Sequence, residues 1–316
     1  MERGDSPRRP QTGLTGLTFR HGAMAMNAPR VPHLAPLEYR SLRLELPGGT
    51  GLHYVEAGQG EPMVLLHGGM GDCWSWGPQI EAFASRFRVV SYSRRYNYPN
   101  SNRPSEPNHS CRHEAQDLGA FLAKLRCGPV HLVGTSYGAL TALTYAIDKP
   151  GEILSLVLAE PPMMSWVRAA PDGAVVCDAF VREVWEPAAR AFAQGCTRQA
   201  MRYLYDGMRG QGSFDTLHDA QVQAVLRNAR AMEMLLRSTE AFPEVPWAAV
   251  VQLRLPVLLI SGERTVPFHR LAHDALVRAL PQAQQVVIAG AGHAAASENP
   301  DAFNTGVLEF LARLER

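Results

Sequence analysis

A five-residue turn constrains this chain more than any other segment. The sequence Gly-Thr-Ser-Tyr-Gly at residues 134–138 directly follows the apolar run HLV and precedes a helix-like stretch at 139–147. A serine in this context sits on a strained strand-to-helix turn, and glycines two residues before and after it avoid collisions with neighbouring chain. The pattern predicts that Ser136 lies at the carboxyl edge of a sheet, at a helix N-terminus whose dipole favours negative charge. The alternative is an ordinary glycine-rich loop that ends in a helix.

The sequence around this turn predicts a mostly parallel sheet. Short runs rich in Val, Leu and Ile alternate with segments of helical period, which is typical of a sheet covered by helices on both faces. The predicted buried strands are 63–66, 89–92, 130–133, 154–158, 257–260 and 285–288. Two further runs, 42–46 and 52–56, alternate in polarity and flank a Pro-Gly-Gly turn, which indicates a hairpin.

Two helices have clear signals of their own. Residues 112–126 place apolar side chains on one face at helical period, and the last helix opens with Asn299 as a cap and Pro300 at its first position. The apolar stripe of the last helix consists of Phe303, Val307, Phe310, Leu311 and Leu314. We interpret both stripes as core faces without a catalytic role.

The chain divides into three kinds of segment. Residues 1–35 lack an apolar period and are predicted to form a flexible tail. Residues 162–248 lack strand candidates, contain helix-period stretches and are bounded by prolines, so they are predicted to form a helical lid inserted between two strands. The remaining segments, 36–161 and 249–316, are predicted to form the α/β core.

Composition narrows the possible partners. The formal net charge is +1, from 31 basic and 30 acidic residues. The chain therefore has no excess of positive charge that would attract a polyanion, and nucleic acid is not expected as a partner. No apolar run approaches the ~18 residues of a membrane span, and no membrane partner is expected. Five cysteines without zinc-ligand spacing predict free thiols in a reducing cytoplasm. The oligomeric state is left open.

Three more landmarks occur in a fixed order around the serine turn. His67-Gly68-Gly69-Met70 follows the strand MVLL, and Gly290-Ala291-Gly292-His293 follows the strand QVVIA near the C-terminus. The segment RFRVVSYSRRYNYPNSN resembles a strand and loop that usually contain D-x-R-G-x-G-x-S, although its loop departs from that pattern and is expected to shape a pocket specific to a subfamily. With these landmarks, residues 38–316 resemble the α/β-hydrolase superfamily. The resemblance implies an α/β-hydrolase fold, in which helices flank a mostly parallel central sheet and a helical lid is inserted.

The resemblance also implies most of the active site. Ser136 would be the nucleophile and His293 the general base, because an imidazole with a pKa of about 6.5 can accept and return a proton near neutral pH. The backbone amides of Gly69 and Tyr137 would form the oxyanion hole, where each donor is worth about 3 kcal/mol. The alternative for the HGGM segment is a simple glycine turn, and His67 is interpreted as a structural residue of that loop.

The acid of the triad is the point at which the chain departs from many relatives in the superfamily. Thr265 occupies the position, after the strand that follows the lid, where an aspartate is common. Glu160 stands one strand earlier, immediately before the lid, where haloalkane dehalogenases and certain lactone hydrolases resemble this chain in having a glutamate. We therefore predict Glu160 as the acid and keep Glu263 as the second candidate. A carboxylate at a lid hinge without a catalytic role is the remaining interpretation of Glu160.

These residues predict a serine hydrolase. A serine nucleophile differs from the aspartate of dehalogenases and epoxide hydrolases, and it suits attack on a small-molecule ester, thioester or lactone through an acyl-enzyme. No metal or organic cofactor is implied. The alternatives are C–C bond hydrolysis of a diketone and a ligand sensor with little turnover. Seven lid residues offer walls for an apolar pocket, although most of them are interpreted as ordinary lid core: Met163, Met164, Trp166, Trp185, Tyr203, Tyr205 and Met208.

Overall fold

The computed structural model describes Met1 and residues 39–104 and 108–315. The predicted flexible tail, residues 1–35, lies outside the described residues except for Met1. Among the residues that are described, no helix has both the length and the apolar character that a membrane crossing requires.

An eight-stranded sheet forms the centre of the molecule. Its strands are β1 (Leu42–Glu45), β2 (Gly51–Ala57), β3 (Glu61–Leu66), β4 (Phe87–Tyr92), β5 (Val130–Thr135), β6 (Ile153–Ala159), β7 (Val257–Gly262) and β8 (Gln284–Ile288). They lie in the order β1-β2-β4-β3-β5-β6-β7-β8. The β1–β2 and β2–β4 pairs are antiparallel, and every pair from β4 to β8 is parallel. The predicted hairpin and all six predicted strands are present, but only five of the six are buried: β8 has a neighbour on one side only, and its Val287 is 56% exposed.

Helices surround this sheet in the described part of the chain. They are α1 (Gly77–Phe83), α2 (Cys111–Leu125), α3 (Tyr137–Asp148), α4 (Met164–Ala169), α5 (Gly173–Phe180), α6 (Glu186–Ala193), α7 (Thr197–Arg209), α8 (Asp219–Leu226), α9 (Ala229–Arg237), α10 (Trp247–Val251), α11 (Pro267–Ala279), α12 (Ala295–Glu298) and α13 (Pro300–Leu314). Successive side chains of a strand point to opposite faces. Consequently Val64 and Leu66 pack with α2, α3 and α11, whereas Met63 and Leu65 pack with α1 and α13.

The two helices predicted individually have the expected boundaries and contacts. Helix α2 begins and ends one residue before the predicted range. At the start of α13 the Asn299 side chain accepts a hydrogen bond from the amide of Ala302 at 3.3 Å, and Pro300 occupies the first turn. The apolar stripe of α13 is buried except for its last member, Leu314, which is 38% exposed.

The chain between β6 and β7 is helical. Residues 160–256 are all described, and they contain α4 to α10 and no strand. Side chains from these helices, such as Met201 and Leu204, are fully buried and join the apolar cluster on the α2 side of the sheet. The assignment of residues 162–248 as a separate lid stays a prediction.

The register of two neighbouring strands places the candidate residues side by side. Thr135 at the end of β5 pairs with Ala159 at the end of β6. Ser136 and Glu160 are the next residues on the two strands, so both lie at the carboxyl edge of the sheet, where open α/β sheets bind their ligands.

Candidate active site

Ser136 sits on the strained turn that the sequence predicts. Its backbone has φ 52° and ψ −124°, in the left-handed region that side chains rarely adopt. The amide of Ser136 donates to the carbonyl of Ala159 at 2.8 Å. A Cβ atom at Gly134 would lie 2.6 Å from Cα of Ala139, and one at Gly138 would lie 2.3 Å from the carbonyl oxygen of Leu66. The expected need for glycine on both sides of the serine is thereby confirmed.

A continuous chain of hydrogen bonds joins the three predicted triad residues. Nε2 of His293 lies 3.0 Å from Oγ of Ser136, and Nδ1 of His293 lies 2.7 Å from Oε2 of Glu160. His293 is 7% exposed and Glu160 is 1% exposed. Because the carboxylate can only accept, Nδ1 carries the ring proton and the lone pair of Nε2 faces the serine hydroxyl. The arrangement is suited to removal of a proton from Ser136.

The Glu160 carboxylate is fixed by further donors. The amide of Gly262 donates to Oε1 at 2.9 Å, and the hydroxyl of Thr265 donates to Oε2 at 2.7 Å. Glu263, the second candidate, is exposed, and its carboxylate accepts a hydrogen bond from the amide of Gly290 at 2.7 Å. The structure therefore brings Glu160 to His293 and directs Glu263 elsewhere.

Burial and one nearby cation keep His293 neutral. Burial lowers the pKa of His293 below its ordinary value of 6.5, and the positive charge of Arg209 lowers that pKa further, against a smaller opposing effect of Glu298. Nη1 of Arg209 lies 3.3 Å from Oε1 of Glu298, so this ion pair links α7 to α12 beside the site. A neutral imidazole at neutral pH is the form that a general base requires.

A second histidine packs directly on the first. The rings of His269 and His293 are stacked with centroids 3.5 Å apart and an angle of 5° between planes. His269 lies in α11 and is buried, with 3% of its surface exposed. Burial lowers the pKa of His269 well below 6.5, and His293 lowers it further. In the sequence, the position of His269 beside Phe268 at the start of a helix was the only indication that it could be buried.

Glu160, His269 and His293 form a group whose ligand atoms lie within 4.8 Å of one another, close enough to be considered for a metal ion. Ligand lone pairs of an imidazole lie in the plane of its ring. Because the two rings are stacked almost parallel, their lone pairs lie in two separate, nearly parallel planes and cannot both point at one ion. Nδ1 of His293 and the Glu160 carboxylate are also hydrogen-bonded to each other and are not directed at a shared ion. This geometry fits a hydrogen-bond relay and not a metal centre.

Both predicted oxyanion residues lie next to Ser136: Gly69 is in the loop after β3, and Tyr137 directly follows the serine as the first residue of α3. Gly69 and Tyr137 line the same small cavity as the serine. Nε2 of His67 accepts from the amide of Arg94 at 3.0 Å, while Nδ1 donates to the carbonyl of Gly68 at 2.8 Å. His67 is fully buried, and its burial lowers its pKa to about 3. It behaves as the structural residue that the sequence indicated.

The loop after β4, which departs from the D-x-R-G-x-G-x-S pattern, donates hydrogen bonds to backbone carbonyls of the loop after β3 (the oxyanion loop). Nη1 of Arg94 donates to Glu114 at 2.6 Å, and its Nη2 donates to the carbonyl of Gly68 at 3.2 Å. Nδ2 of Asn97 donates to the carbonyl of Gly69 at 2.9 Å. We expected this loop to shape a pocket, but residues 93–102 line neither of the two cavities at Ser136. Its polar side chains are used to support backbone carbonyls.

Two cavities meet at Ser136. The first is apolar, encloses about 20 Å³ and lies under the helices between β6 and β7. The second is a groove of about 570 Å³ that includes His293. Among the seven lid residues considered from the sequence, Trp185 and Met208 line the first cavity, and Tyr205 and Met208 line the groove. The other four line neither: Met163, Met164, Trp166 and Tyr203.

Comparisons with known proteins agree with this architecture. The profile described as "Alpha/beta hydrolase family" matches residues 63–305. The chain is 24% identical over 273 residues to the protein named "Putative carbamate hydrolase RutD" of Azorhizobium caulinodans, covering 85% of this chain and 98% of that protein. Carboxylesterase CesB of Bacillus subtilis has a similar structure, with a TM-score of 0.69, 21% identity and coverage of 89% of this chain and 94% of that one.

A second solved structure has the same fold. The enol-lactonase from Burkholderia xenovorans LB400 is similar with a TM-score of 0.69 and 20% identity, over 86% of this chain and 100% of that one. The family match covers most of the chain, and it confirms both the predicted fold class and the prediction of an enzyme of the hydrolase class. The chain belongs to the α/β-hydrolase family.

Proposed function

We propose that this chain is a serine hydrolase that acts on a small-molecule carboxylic ester through an acyl-enzyme intermediate. The observation that carries the proposal is the continuous hydrogen-bonded chain from Ser136 through His293 to Glu160. A serine hydroxyl is a weak nucleophile by itself and needs an adjacent base that is oriented by a third group. The three residues supply those parts in that order.

The first half-reaction forms the acyl-enzyme. Oγ of Ser136 attacks the carbonyl carbon while its proton moves to Nε2 of His293. The imidazolium is stabilised by the Glu160 carboxylate, and negative charge on the former carbonyl oxygen is stabilised by the amides of Gly69 and Tyr137. When the carbon–oxygen bond breaks, His293 returns that proton to the leaving oxygen, which departs as a neutral alcohol.

The second half-reaction releases the acid. Water attacks the acyl carbon, gives a proton to His293, and the bond to Oγ of Ser136 breaks as that oxygen takes the proton back. The product is the carboxylic acid, and the enzyme returns to its starting protonation state. These steps need no group beyond the five residues and water, and the absence of a cofactor stays a prediction, as does a cytoplasmic location.

The names of similar proteins support a carbonyl substrate. They mention a carbamate, a carboxylic ester and an enol-lactone, and in each of these a carbonyl carbon is bonded to a heteroatom that can leave. The proposal keeps the ester as the substrate class. Hydrolysis of a lactone by the same steps differs only in that acid and alcohol remain in one molecule.

The test is replacement of the nucleophile. Ser136→Ala should lower kcat on p-nitrophenyl acetate by about 10⁴-fold to 10⁶-fold without changing the melting temperature appreciably. Ser85→Ala, at an exposed position, is the matched control and should keep wild-type activity. A fluorophosphonate should add its mass to the wild-type chain at Ser136 and not to Ser136→Ala.

Three outcomes would contradict the proposal. Near-normal esterase activity in purified Ser136→Ala would remove the serine from the mechanism. A wild-type burst of one equivalent without further turnover would favour the ligand sensor. Turnover of a diketone, without turnover of any ester, would favour the C–C bond hydrolase.

A further inference from the structure

The two cavities at Ser136 differ in size, polarity and contact with the base. Both include Gly69, Ser136 and Met208. Of the two, only the groove includes His293, and only the smaller cavity includes the aromatic side chains Phe180, Trp185, Phe242 and Phe268. The serine oxygen therefore stands at a boundary between a small apolar space and a large, more polar one.

The path of the proton indicates which half of an ester lies in the groove and which lies in the apolar cavity. In the proposed reaction, the proton on Nε2 of His293 passes to the leaving oxygen, which must lie within hydrogen-bond reach of that nitrogen. The leaving group therefore extends into the groove that His293 lines. The acyl substituent is on the other side of the carbonyl carbon, where the apolar cavity beside Ser136 can receive it.

The apolar cavity limits the acyl group. Its volume of about 20 Å³ is close to what a single water requires, so a methyl group fits and a longer chain does not fit without displacement of the walls. The walls are braced by aromatic contacts, with ring centroids 5.0 Å apart for Phe180 and Phe268 and 5.1 Å apart for Trp185 and Phe242. Met232 closes the side next to the oxyanion loop, since a Cβ at Gly69 would lie 2.7 Å from its Sδ.

The groove, in contrast to the apolar cavity, has room for a large leaving group. Its volume of about 570 Å³ is enough for a leaving group many atoms in size. Two arginines line it, but Arg209 is paired with Glu298 and Arg227 with Asp72, at 3.3 Å and 2.7 Å. The arginine charges are thus paired inside the protein, and the exposed Glu81 on the groove wall adds a negative charge, so the groove favours an uncharged leaving group over an anionic one.

We propose that the site selects open-chain esters with an acetyl-sized acyl group and a bulky, uncharged alcohol or phenol as the leaving group. This inference rests on the proposed function and adds to it the sizes of the two halves of the substrate. Because the two spaces lie on different sides of the carbonyl carbon, an open-chain ester can occupy both, whereas a small lactone ring holds its two halves together. Lactones are therefore expected to be poorer substrates.

The first experiment measures kcat/KM for p-nitrophenyl esters from acetate to octanoate, together with acetate esters of increasingly large alcohols and γ-butyrolactone. A single methylene in an apolar pocket changes discrimination by about tenfold or more. We expect kcat/KM to fall by at least about tenfold from acetate to hexanoate, and to hold or rise as the alcohol grows. A maximum at hexanoate or longer, or faster hydrolysis of the lactone than of the acetates, would overturn the proposal.

The second experiment uses two methionines of one helix. Met232 and Met234 both lie in α9 and are 2% and 8% exposed, but Met232 lines the apolar cavity, whereas Met234 packs with Tyr96 and Ala231. Met232→Ala should raise the ratio of hexanoate to acetate kcat/KM by on the order of tenfold, and Met234→Ala should leave the ratio unchanged. Equal ratios in the two variants, both shown to be folded by a thermal melt, would contradict the assignment of the acyl group to this cavity.

A third variant protects the test against a folding defect. Phe242 lines the cavity and is only half-buried, so Phe242→Ala removes cavity wall with less damage to the core. It should shift the acyl preference in the same direction as Met232→Ala, and an unchanged preference would count against the proposal.

Failure of this inference and failure of the proposed function give different results. If Ser136→Ala is inactive and the wild type prefers long acyl chains, the serine mechanism stands and the size assignment is wrong. If Ser136→Ala retains activity, the proposed function itself fails, whatever the chain-length preference.

Discussion

The hydroxyl of Thr265 donates a 2.7 Å hydrogen bond to Oε2 of Glu160, the same oxygen that faces Nδ1 of His293. Thr265 stands where the sequence pattern leads one to expect an aspartate. The carboxylate has a different origin, one strand earlier, but it reaches the same histidine. The threonine contributes a donor that holds the glutamate oxygen in place. The position after β7 therefore has no carboxylate, the position after β6 supplies one, and the two side chains are hydrogen-bonded to each other.

The first prediction concerns the identity of the acid. Glu160→Gln keeps the shape of the side chain but removes its charge and permits the wrong tautomer of His293, so kcat should fall by several powers of ten, about 10⁴-fold in the best-studied triad. Glu263→Gln is the matched control and should change kcat little. Both are measured with a thermal melt. Full activity in Glu160→Gln with a large loss in Glu263→Gln would reverse the assignment, and loss in neither would indicate a Ser-His dyad.

The second prediction is a rescue. In the Glu160→Gln background, Thr265→Asp places a carboxylate beside the same oxygen position, so kcat should recover by at least about tenfold relative to Glu160→Gln alone. In the wild-type background, Thr265→Asp should lower kcat, because two negative charges would lie side by side. A double variant no better than Glu160→Gln would show that only the β6 position can orient His293.

The third prediction concerns pH. The active form of His293 is neutral, and burial together with Arg209 lowers its pKa, so the acidic limb of kcat/KM should lie below pH 6.5. Arg209→Gln removes a positive charge and frees Glu298, and both changes raise the pKa of His293. The acidic limb should therefore move to higher pH in this variant. Arg202→Gln, which breaks an exposed pair with Asp215, is the control and should leave the limb in place.

The fourth prediction concerns stability in acid. The pKa of His269 is lowered on folding, so the unfolded chain binds a proton that the folded chain does not, and stability falls as pH decreases through 6.5. The buried His67 and His293 contribute with the same sign. The melting temperature should therefore decrease between pH 7 and pH 5, and it should decrease less in His269→Phe, which keeps a flat ring against His293.

His269→Ala serves as the comparison for that variant. It removes the ring that packs on His293, so kcat and the melting temperature at pH 7 should both be lower than in His269→Phe. A pH dependence of melting that is the same in the wild type and in His269→Phe would show that His269 is not the titrating group.

The sequence predicted the residues whose position depends on local patterns. Ser136 and His293 follow recognisable strands, and glycine is required on both sides of the serine because neighbouring backbone leaves no room for a side chain. Glu160 could be predicted because it ends a buried strand. The stacking of His269 on His293 could not, because it depends on how α11 packs against a loop more than twenty residues later. Composition alone offers Trp166 and Tyr203 as pocket residues, but the packing of the helices directs them away from both cavities.

The pairing of Thr135 with Ala159 has a further consequence for how such a chain can diverge. The spacing of the nucleophile and the acid is inherited from the hydrogen-bond ladder of two adjacent strands, and each residue then turns away from its strand at positive φ. Insertions, deletions and wholesale rearrangement of the helices between β6 and β7 leave that ladder untouched. Most of the side chains that wall the small apolar cavity come from the chain between β6 and β7, so these walls can change in descendants of this chain without moving the serine and the carboxylate.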